Sequence, residues 1–473
     1  MHRHPDHTRL ATVTIPARDL RPEAFLGSAP EGRRGFWARG DRWVAHRGIA
    51  AEIRVDRSPE GVDRFAEVAK QAHRLGADPV LPPGSTRAAR VRLYGGFSFR
   101  EEHEATGVWS EFPQARFVVP ELELEGDGSG DAWLRARARV EPGRESDGLA
   151  RLRHLAEATR AELAALGDAP GRPTPNVRAG STSGARAAWE DAVRTCLAAI
   201  REGRVSKAVL ARTLDIELGR RLDPVDIVMH LWHANRGSHV FLFQPESHTA
   251  LVGAAPETVA TLRDGVFHAT AVAGSIRRGS GPPEQAELAA QLLASDKDRA
   301  EQRIALDDMI ARLATVAHQI RADPQPHVLT LARIQHLETE IRASVPGGVG
   351  VLDLLRILHP TPAVCGLPRD AALDVLASGE PFERGWYAGP VGWFDPDGNG
   401  VFAPALRTGV AHGSAWRLFA GAGIVEGSVP ASEWEETAIK FEPMVEALEA
   451  GGARFQERIG VTAAAPPVKT ERP

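Results

Sequence analysis

VSKAVLARTLDIEL (205–218) sets Leu214, Ile216 and Leu218 against Thr213, Asp215 and Glu217, the two-residue alternation of a half-buried strand. HVFLFQ (239–244) and ALVGAAPETVATL (250–262) read as further strands. The period then changes: SDKDRAEQRIALDDMIARLATVAHQI (295–320) predicts a long amphipathic helix, with Ser295 and Asp298 placed as a capping box. Toward the C-terminus follow a helix around LLRILHP (354–360), strands in YAGPVGWFD (387–395) and GVFAPALRTGV (400–410), a turn-rich LFAGAGIVEGSVP (418–430), and a helix through SEWEETAIKFEPMVEALEA (432–450).

In the other direction, Trp189, Val193, Cys196 and Ile200 of ARAAWEDAVRTCLAAIREG (185–203) fall on one helix face, which makes Cys196 a core residue, and the helix should stop near Gly203. WVAHRGIAAEIRV (43–55), YGGFSF (94–99) and ARFVVPELEL (115–124) predict consecutive antiparallel strands, followed by a helix in LARLRHLAEATRAELAAL (149–166). The parts expected are a strand-rich segment 1–165, a Gly/Pro/Ser/Thr-rich linker 166–184, a main part 185–450, and a tail 451–473 without structure. Strand runs and helix runs interleave irregularly. That pattern predicts an α+β fold on antiparallel sheets rather than a doubly wound parallel sheet.

With 43% hydrophobic and 25% charged residues and a net charge of -5, the 473-residue chain has an ordinary globular composition and no basic excess to attract nucleic acid. No basic stripe interleaved with aromatics occurs either. Cys196 and Cys365 lack CxxC spacing, so no disulfide framework or zinc site is expected and a reducing cytoplasm fits. The N-terminus has no apolar signal core, and no long apolar run predicts a membrane span. His2, His4 and His7 read as a solvated terminus.

Two stretches imitate binding loops. DPDGNG (395–400) opens like a calcium loop, but Leu406 stands where the closing glutamate belongs, so a tight turn is expected. GAGIVEG (421–427) lacks dinucleotide-fingerprint spacing, though a Gly-rich turn can bring N–H groups against an anion. No Walker A, HExxH or GxSxG element occurs. Asp298 and Glu301 on one helix, and Glu433 and Glu436 on another, each sit three residues apart and can project from one face. Two such helices facing each other would offer oxygen ligands to magnesium, which takes one or two carboxylates plus water and substrate oxygens; by spacing alone they are equally well solvated faces.

Taken together, VSKAVLAR (205–212), GAAPE (253–257), AVAGSIRRG (271–279), SDKDRAEQ (295–302), IQHLETEI (334–341), LHPTPAVCG (358–366), GWYAGPVGW (385–393), ALRTG (405–409), LFAGAGIV (418–425) and SEWEETAIK (432–440) resemble the ordered motifs of the chorismate-utilising enzymes. GGFSF (95–99) and ARFVVP (115–120) resemble that family's N-terminal strands. The family comprises isochorismate synthases, salicylate synthases and the large components of anthranilate and aminodeoxychorismate synthases. The resemblance implies two large packed antiparallel sheets with helices outside and a site in a cleft between them. It makes Lys207 the general base that activates water for attack at ring C2, and Glu257 the general acid for the departing C4 hydroxyl. Such an acid needs a pKa raised by burial. The resemblance implies Mg2+ as cofactor, with Glu301 and Glu436 as ligands and Glu433 in support. Arg407 and Tyr387 would hold the enolpyruvyl carboxylate, Gly274, Ser275, Ala422 and Gly423 would offer backbone or hydroxyl donors, and Lys440 and His336 would stand near the metal end and the ring.

Within the family, Lys207 implies water rather than ammonia as nucleophile, and Ala363 occupies a position where salicylate synthases usually carry threonine. The first argues against anthranilate formation, and the second implies a reaction that stops at isochorismate. A salicylate synthase and a non-catalytic chorismate-binding relative are the alternatives. Gln302 replaces the usual histidine after the ligand glutamate, and Asp298 replaces a longer acid. The expected partner is chorismate alone, bound by a monomer without an amidotransferase subunit. The pathway served, whether siderophore, menaquinone or another, is left open.

Overall fold

The structure, a computed structural model, describes residues 8–455 apart from 19, 31, 60, 77, 84–90, 167–175, 184–185 and 332. His2, His4, His7 and the chain beyond 455 lie outside the described residues. Among these residues the strands form two sheets, one of 13 and one of 10 strands. The larger runs from Arg9–Pro16 through Ala132–Val140, Leu122–Gly126, Arg42–Arg47, Arg34–Arg39, His239–Glu246, Thr249–Ala255, Thr408–His412, Ala415–Ile424 and Lys207–Leu218 to Val177–Ser183 and Ala453–Phe455. The smaller runs from His318–Ala322 through Ile334–Ser344, Val266–Arg277, Ala260–Arg263, Gly400–Pro404, Pro390–Phe394 and Leu93–Phe97 to Ala115–Val119 and Ala51–Val55. Strands from before and after the expected linker thus share both sheets.

The strand alternation separates three cores. Phe36, Val240 and Leu242 pack outward under the helices Glu145–Leu166, Pro224–Ala234 and Pro430–Ala450, while Trp37, Phe241 and Phe243, one residue out of phase, pack between the sheets with Tyr94, Trp386 and Phe419. The outer face of the smaller sheet carries Phe97, Phe117 and Phe402 against the helices Arg64–Gly76, Asp296–Leu313 and Val351–Leu358. The architecture is the expected α+β arrangement of packed antiparallel sheets flanked by helices.

Short connections of two to four residues carry the chain between the sheets in two side-by-side pairs of crossings. Arg42–Arg47 leads into Ala51–Val55 through Gly48, whose φ of +69° suits glycine, and Ala115–Val119 returns to Leu122–Gly126 through Pro120. Thr249–Ala255 leads into Ala260–Arg263 through Pro256 and Glu257, and Gly400–Pro404 returns to Thr408–His412 through Leu406 and Arg407. A proline can end one ladder without needing a partner for an N–H, which is why it recurs where a strand leaves its sheet.

Three boundaries differ from expectation. The helix from Ser295 ends at Leu313, and His318–Ala322 joins the sheet as a strand. Within the expected linker, Val177–Ser183 is a strand pairing with Lys207–Leu218, because Leu214, Ile216 and Leu218 already sit in a core and leave a ladder edge to be filled. Ala453–Phe455, inside the expected unstructured tail, pairs in parallel with residues 177–179 because the last helix delivers it to the same edge. The Ser295 hydroxyl accepts from the Asp298 N–H, as the capping motif implies, and the DPDGNG turn closes with the Asn399 N–H on Asp395 Oδ1 at 2.9 Å. Cys196 is buried with Trp189 and Val193, and burial pushes its thiol up to about 12. No helix among the described residues is long and apolar enough to cross a membrane.

Phe117 is fully buried with its ring centroid 5.0 Å from that of Phe97 and 5.1 Å from that of Phe394. Phe117→Ala should lower the unfolding free energy by about 3–5 kcal/mol in urea titration, with an unchanged m value.

Candidate active site

The second pair of crossings brings Glu257 and Arg407 to one place. Residues on a crossing cannot continue either ladder, so their backbone is held locally: the Thr258 N–H donates to Thr270 Oγ1 at 2.9 Å, the Val259 N–H to the Phe402 carbonyl at 2.9 Å, and the Ala405 N–H to the Gly389 carbonyl at 2.8 Å. Arg407 adopts φ +51°, an unusual conformation for a side-chain-bearing residue, and is almost fully buried. A cleft of about 690 Å³ opens beside the two crossings. It is lined by eleven of the fourteen residues singled out from sequence: Glu257, Gly274, Ser275, Glu301, His336, Ala363, Tyr387, Arg407, Gly423, Glu436 and Lys440. Lys207, Ala422 and Glu433 stand behind this lining.

Lys207 begins the strand Lys207–Leu218, and its side chain is fully buried. Nζ lies 3.0 Å from Glu301 Oε1, within ion-pair range but off the line of a hydrogen bond, so among the described residues it has no hydrogen-bond acceptor. A methyl group added at Gly423 would come 2.1 Å from Glu301 Oε1 and 3.2 Å from Lys207 Cε; the glycine is what lets this pair meet. Glu257 is 2% exposed, and its Oε1 is likewise buried without a partner. Burial raises its pKa to about 8, with the Lys207 charge pulling it back and Glu338 pushing it further up. A neutral acid and a lysine nitrogen with unused hydrogen-bonding capacity therefore sit within electrostatic reach of each other.

Opposite them, a bulge at Gly274 (φ +73°) interrupts the pairing of Val266–Arg277 with Ile334–Ser344 and sets Ser275 across from His336. Arg407 can only donate, so its Nη2, 2.9 Å from His336 Nε2, fixes that nitrogen as the acceptor. The His336 Nδ1–H then faces the Gly274 carbonyl at 3.1 Å. Burial, reinforced by Arg407 and Lys440, drives the His336 pKa well below its ordinary value, consistent with this neutral tautomer. Burial also lowers Arg407 to about 10, against Tyr387 and Glu436, which raise it. The Tyr387 ring stacks on Phe419 at 4.9 Å, and burial pushes its phenol up to about 12. The resulting end of the cleft carries one guanidinium and one neutral hydroxyl, a pair suited to a carboxylate.

The carboxylates come from two helices, Glu301 from Asp296–Leu313 and Glu433 and Glu436 from Pro430–Ala450. Each already meets a lysine: Glu301 meets Lys207, Glu433 meets Lys297 at 2.8 Å, and Glu436 meets Lys440 at 2.5 Å, while Lys440 also donates to the Gly421 carbonyl. Burial and the neighbouring Glu436 raise the Glu433 pKa, against Lys297. Among the described residues no three such groups converge as a closed metal cage. Glu301 and Glu436 nevertheless line one cleft from facing helices, and a pair of carboxylates open to substrate fits a hard divalent cation that keeps water and substrate oxygens in its shell.

Other residues support the site, and of these Lys297 was not singled out from sequence. Lys297 neutralises Glu433, and only its place two residues into a helix rich in acids could have suggested it. Gln302, in place of the usual histidine, is buried and donates to Thr339 Oγ1 at 2.6 Å, which ties the Glu301 helix to the His336 strand. Asp298 donates its backbone N–H to the Ser295 cap and accepts from the Ser275 N–H, so the shorter acid supports the bulge. Ala422 pairs with Leu210 in the ladder and its side chain belongs to the inter-sheet core; its neighbours Gly421 and Gly423 line the cleft.

Comparison with known proteins agrees with this geometry. Residues 1–449 match the family model described as chorismate binding enzyme. The chain is 35% identical over 422 residues, 88% of its own length and 85% of the relative's, to a Pseudomonas aeruginosa protein named salicylate biosynthesis isochorismate synthase. It is 31% identical over 463 residues, 95% of each chain, to isochorismate synthase MenF of Bacillus subtilis. The solved structure of MenF, the menaquinone-specific isochorismate synthase of Escherichia coli, superposes with a TM-score of 0.75 at 25% identity, covering 95% of this chain and 96% of that one. The chain therefore belongs to the chorismate-binding enzyme family.

Proposed function

We propose that the protein is an isochorismate synthase, a hydroxymutase that adds water to chorismate at C2 and removes the C4 hydroxyl. The observation that carries this reading is the pairing of a buried acid, Glu257, held neutral to about pH 8, with Lys207, whose Nζ lacks a protein acceptor. Water is a poor nucleophile and hydroxide a poor leaving group, so the reaction needs a base and an acid at one ring. Lys207, acting as the free amine, takes a proton from the attacking water as its oxygen bonds to C2. Both ring double bonds shift, C1=C2 to C1=C6 and C5=C6 to C4=C5, and Glu257 gives its proton to the C4 oxygen, which departs as water. Arg407, oriented by neutral His336, and Tyr387 hold the enolpyruvyl carboxylate; Ser275 and the backbone at Gly274 and Gly423 offer further donors. Mg2+ held by Glu301 and Glu436, with Glu433 in support, would neutralise the ring carboxylate.

Lys207 suits water rather than ammonia, so the enzyme would act without an amidotransferase subunit, and two cysteines without CxxC spacing fit a reducing cytoplasm. The small side chain of Ala363 in the cleft wall favours release of isochorismate over pyruvate elimination.

Purified protein given chorismate and Mg2+ should accumulate isochorismate to an equilibrium seen by chromatography, and EDTA should abolish it. Stoichiometric salicylate and pyruvate would make it a salicylate synthase, and tight chorismate binding without turnover a non-catalytic relative. Lys207→Ala and Glu257→Gln should each lower kcat by about 10²–10⁴. Because free Glu257 must be protonated, kcat/KM should fall as pH rises through about 8. The same shift bears on stability. The unfolded carboxyl releases its proton near its ordinary 4.5 and the folded one near 8, so wild-type stability drains away across that window; the Tm of Glu257→Gln relative to wild type should climb between those pH values and level off above. Gly423→Ala should separate Glu301 from Lys207 and reduce kcat at least tenfold, with a native circular dichroism spectrum as control.

A further inference from the structure

The strand that starts at Lys207 is incompletely paired on one side. Gly366–Leu367 covers Lys207 and Ala208, and Val177–Ser183 covers Leu214 to Leu218, but among the described residues no strand runs alongside between them. The Val209 N–H still finds the Cys365 carbonyl at 2.7 Å. The next two backbone groups on that side, the Val209 carbonyl and the Ala211 N–H, are met by side chains. Arg384 Nη2 donates to the Val209 carbonyl at 2.6 Å, and Glu380 Oε1 accepts from the Ala211 N–H at 2.8 Å. A donor and an acceptor are thus presented as a neighbouring strand residue would present its own N–H and carbonyl.

Both side chains are buried and locked together, Nε on Oε2 at 2.8 Å and Nη2 on Oε1 at 2.5 Å. The free edge of the guanidinium reaches further: Nη1 donates to the Val364 carbonyl at 2.9 Å, and Cζ lies 4.4 Å from the Phe99 ring centroid and 5.7 Å from that of Tyr387. Val209, Val364 and Tyr387 all line the cleft, and Lys207 and Ala363 are within two residues of these anchors.

We propose that Glu380 and Arg384 are positioning residues that stand in for a missing strand and fix Lys207, the Ala363–Val364 wall and Tyr387 in a single arrangement. The proposal rests on the isochorismate synthase reading for its rate effect, but not for its structural one. Neither residue touches the reacting atoms, so loss of the pair should slow the chemical step more than substrate capture.

The test is the double variant Glu380→Leu/Arg384→Met, which keeps the buried volume without leaving a lone charge. Its kcat should fall at least tenfold with KM changed less than threefold and Tm near wild type. Hydrogen exchange followed by mass spectrometry should show at least tenfold faster exchange confined to peptides covering 205–213 and 361–366. Arg384→Lys, which keeps the charge but cannot reach both carbonyls, should move both readouts in the same direction, and it decides the matter if the double variant does not fold. A structural role alone would lower Tm without a local exchange signature. Wild-type kcat in a folded variant, or wild-type exchange in those peptides, overturns the proposal. If the wild type itself makes no isochorismate, the functional reading fails, and the exchange comparison alone decides whether the pair holds the strand.

Discussion

Two sheets packed face to face make a good apolar core and a poor place for chemistry, since every inward position prefers a side chain without charge. The crossings relieve that conflict. Where the chain leaves one sheet for the other it belongs to neither ladder, and its side chains point into the seam from backbone that both sheets hold. Glu257 and Arg407 occupy two such crossings, side by side, and the cleft exists because strands cannot fill the space where the chain changes sheets. The other crossing pair, through Gly48 and Pro120, carries Glu121, but that acid is exposed.

Burial at the seam gives these groups their properties. The same loss of water that keeps Glu257 protonated also keeps His336 neutral, and a neutral His336 can accept from Arg407 where a protonated ring could not. Toward the helices the balance reverses: lysines 207, 297 and 440 meet the acids Glu301, Glu433 and Glu436 one to one, so this end of the cleft is charged but compensated. An anionic substrate meets a cationic end at Arg407 and an acidic end that a cation can bridge.

The strand alternation around Leu214–Leu218 and the switch to helical period at Ser295 were enough to read the fold class from sequence, and the ordered motifs placed Lys207, Glu257 and Arg407 before any geometry was known. Spacing alone could not have done so: an isolated lysine on a strand is usually solvated, and this one is buried only because Gly423 and Gly366 let neighbouring chain approach. What escaped the sequence is what depends on distant partners. Nothing local says that Gln302 will meet Thr339, that Lys297 will meet Glu433, or that a Gly/Ser/Thr-rich stretch will be recruited as a strand by an edge formed elsewhere. The helix from Ser295 was read too long because its apolar period runs on past Leu313 into residues that the smaller sheet takes as an edge strand.

The gap beside Val209 and Ala211 also bears on how the strand finds its place during folding. A neighbouring strand can slide by two residues and satisfy the same ladder with the same face inward, so hydrogen bonding between strands leaves register partly undetermined. An arginine clasped by its own glutamate cannot slide, because its fork and the carboxylate fit the Val209 carbonyl and the Ala211 N–H at one setting only. The strand that carries Lys207 is therefore indexed by side chains along the stretch where the sheet supplies a ruler on its other side only.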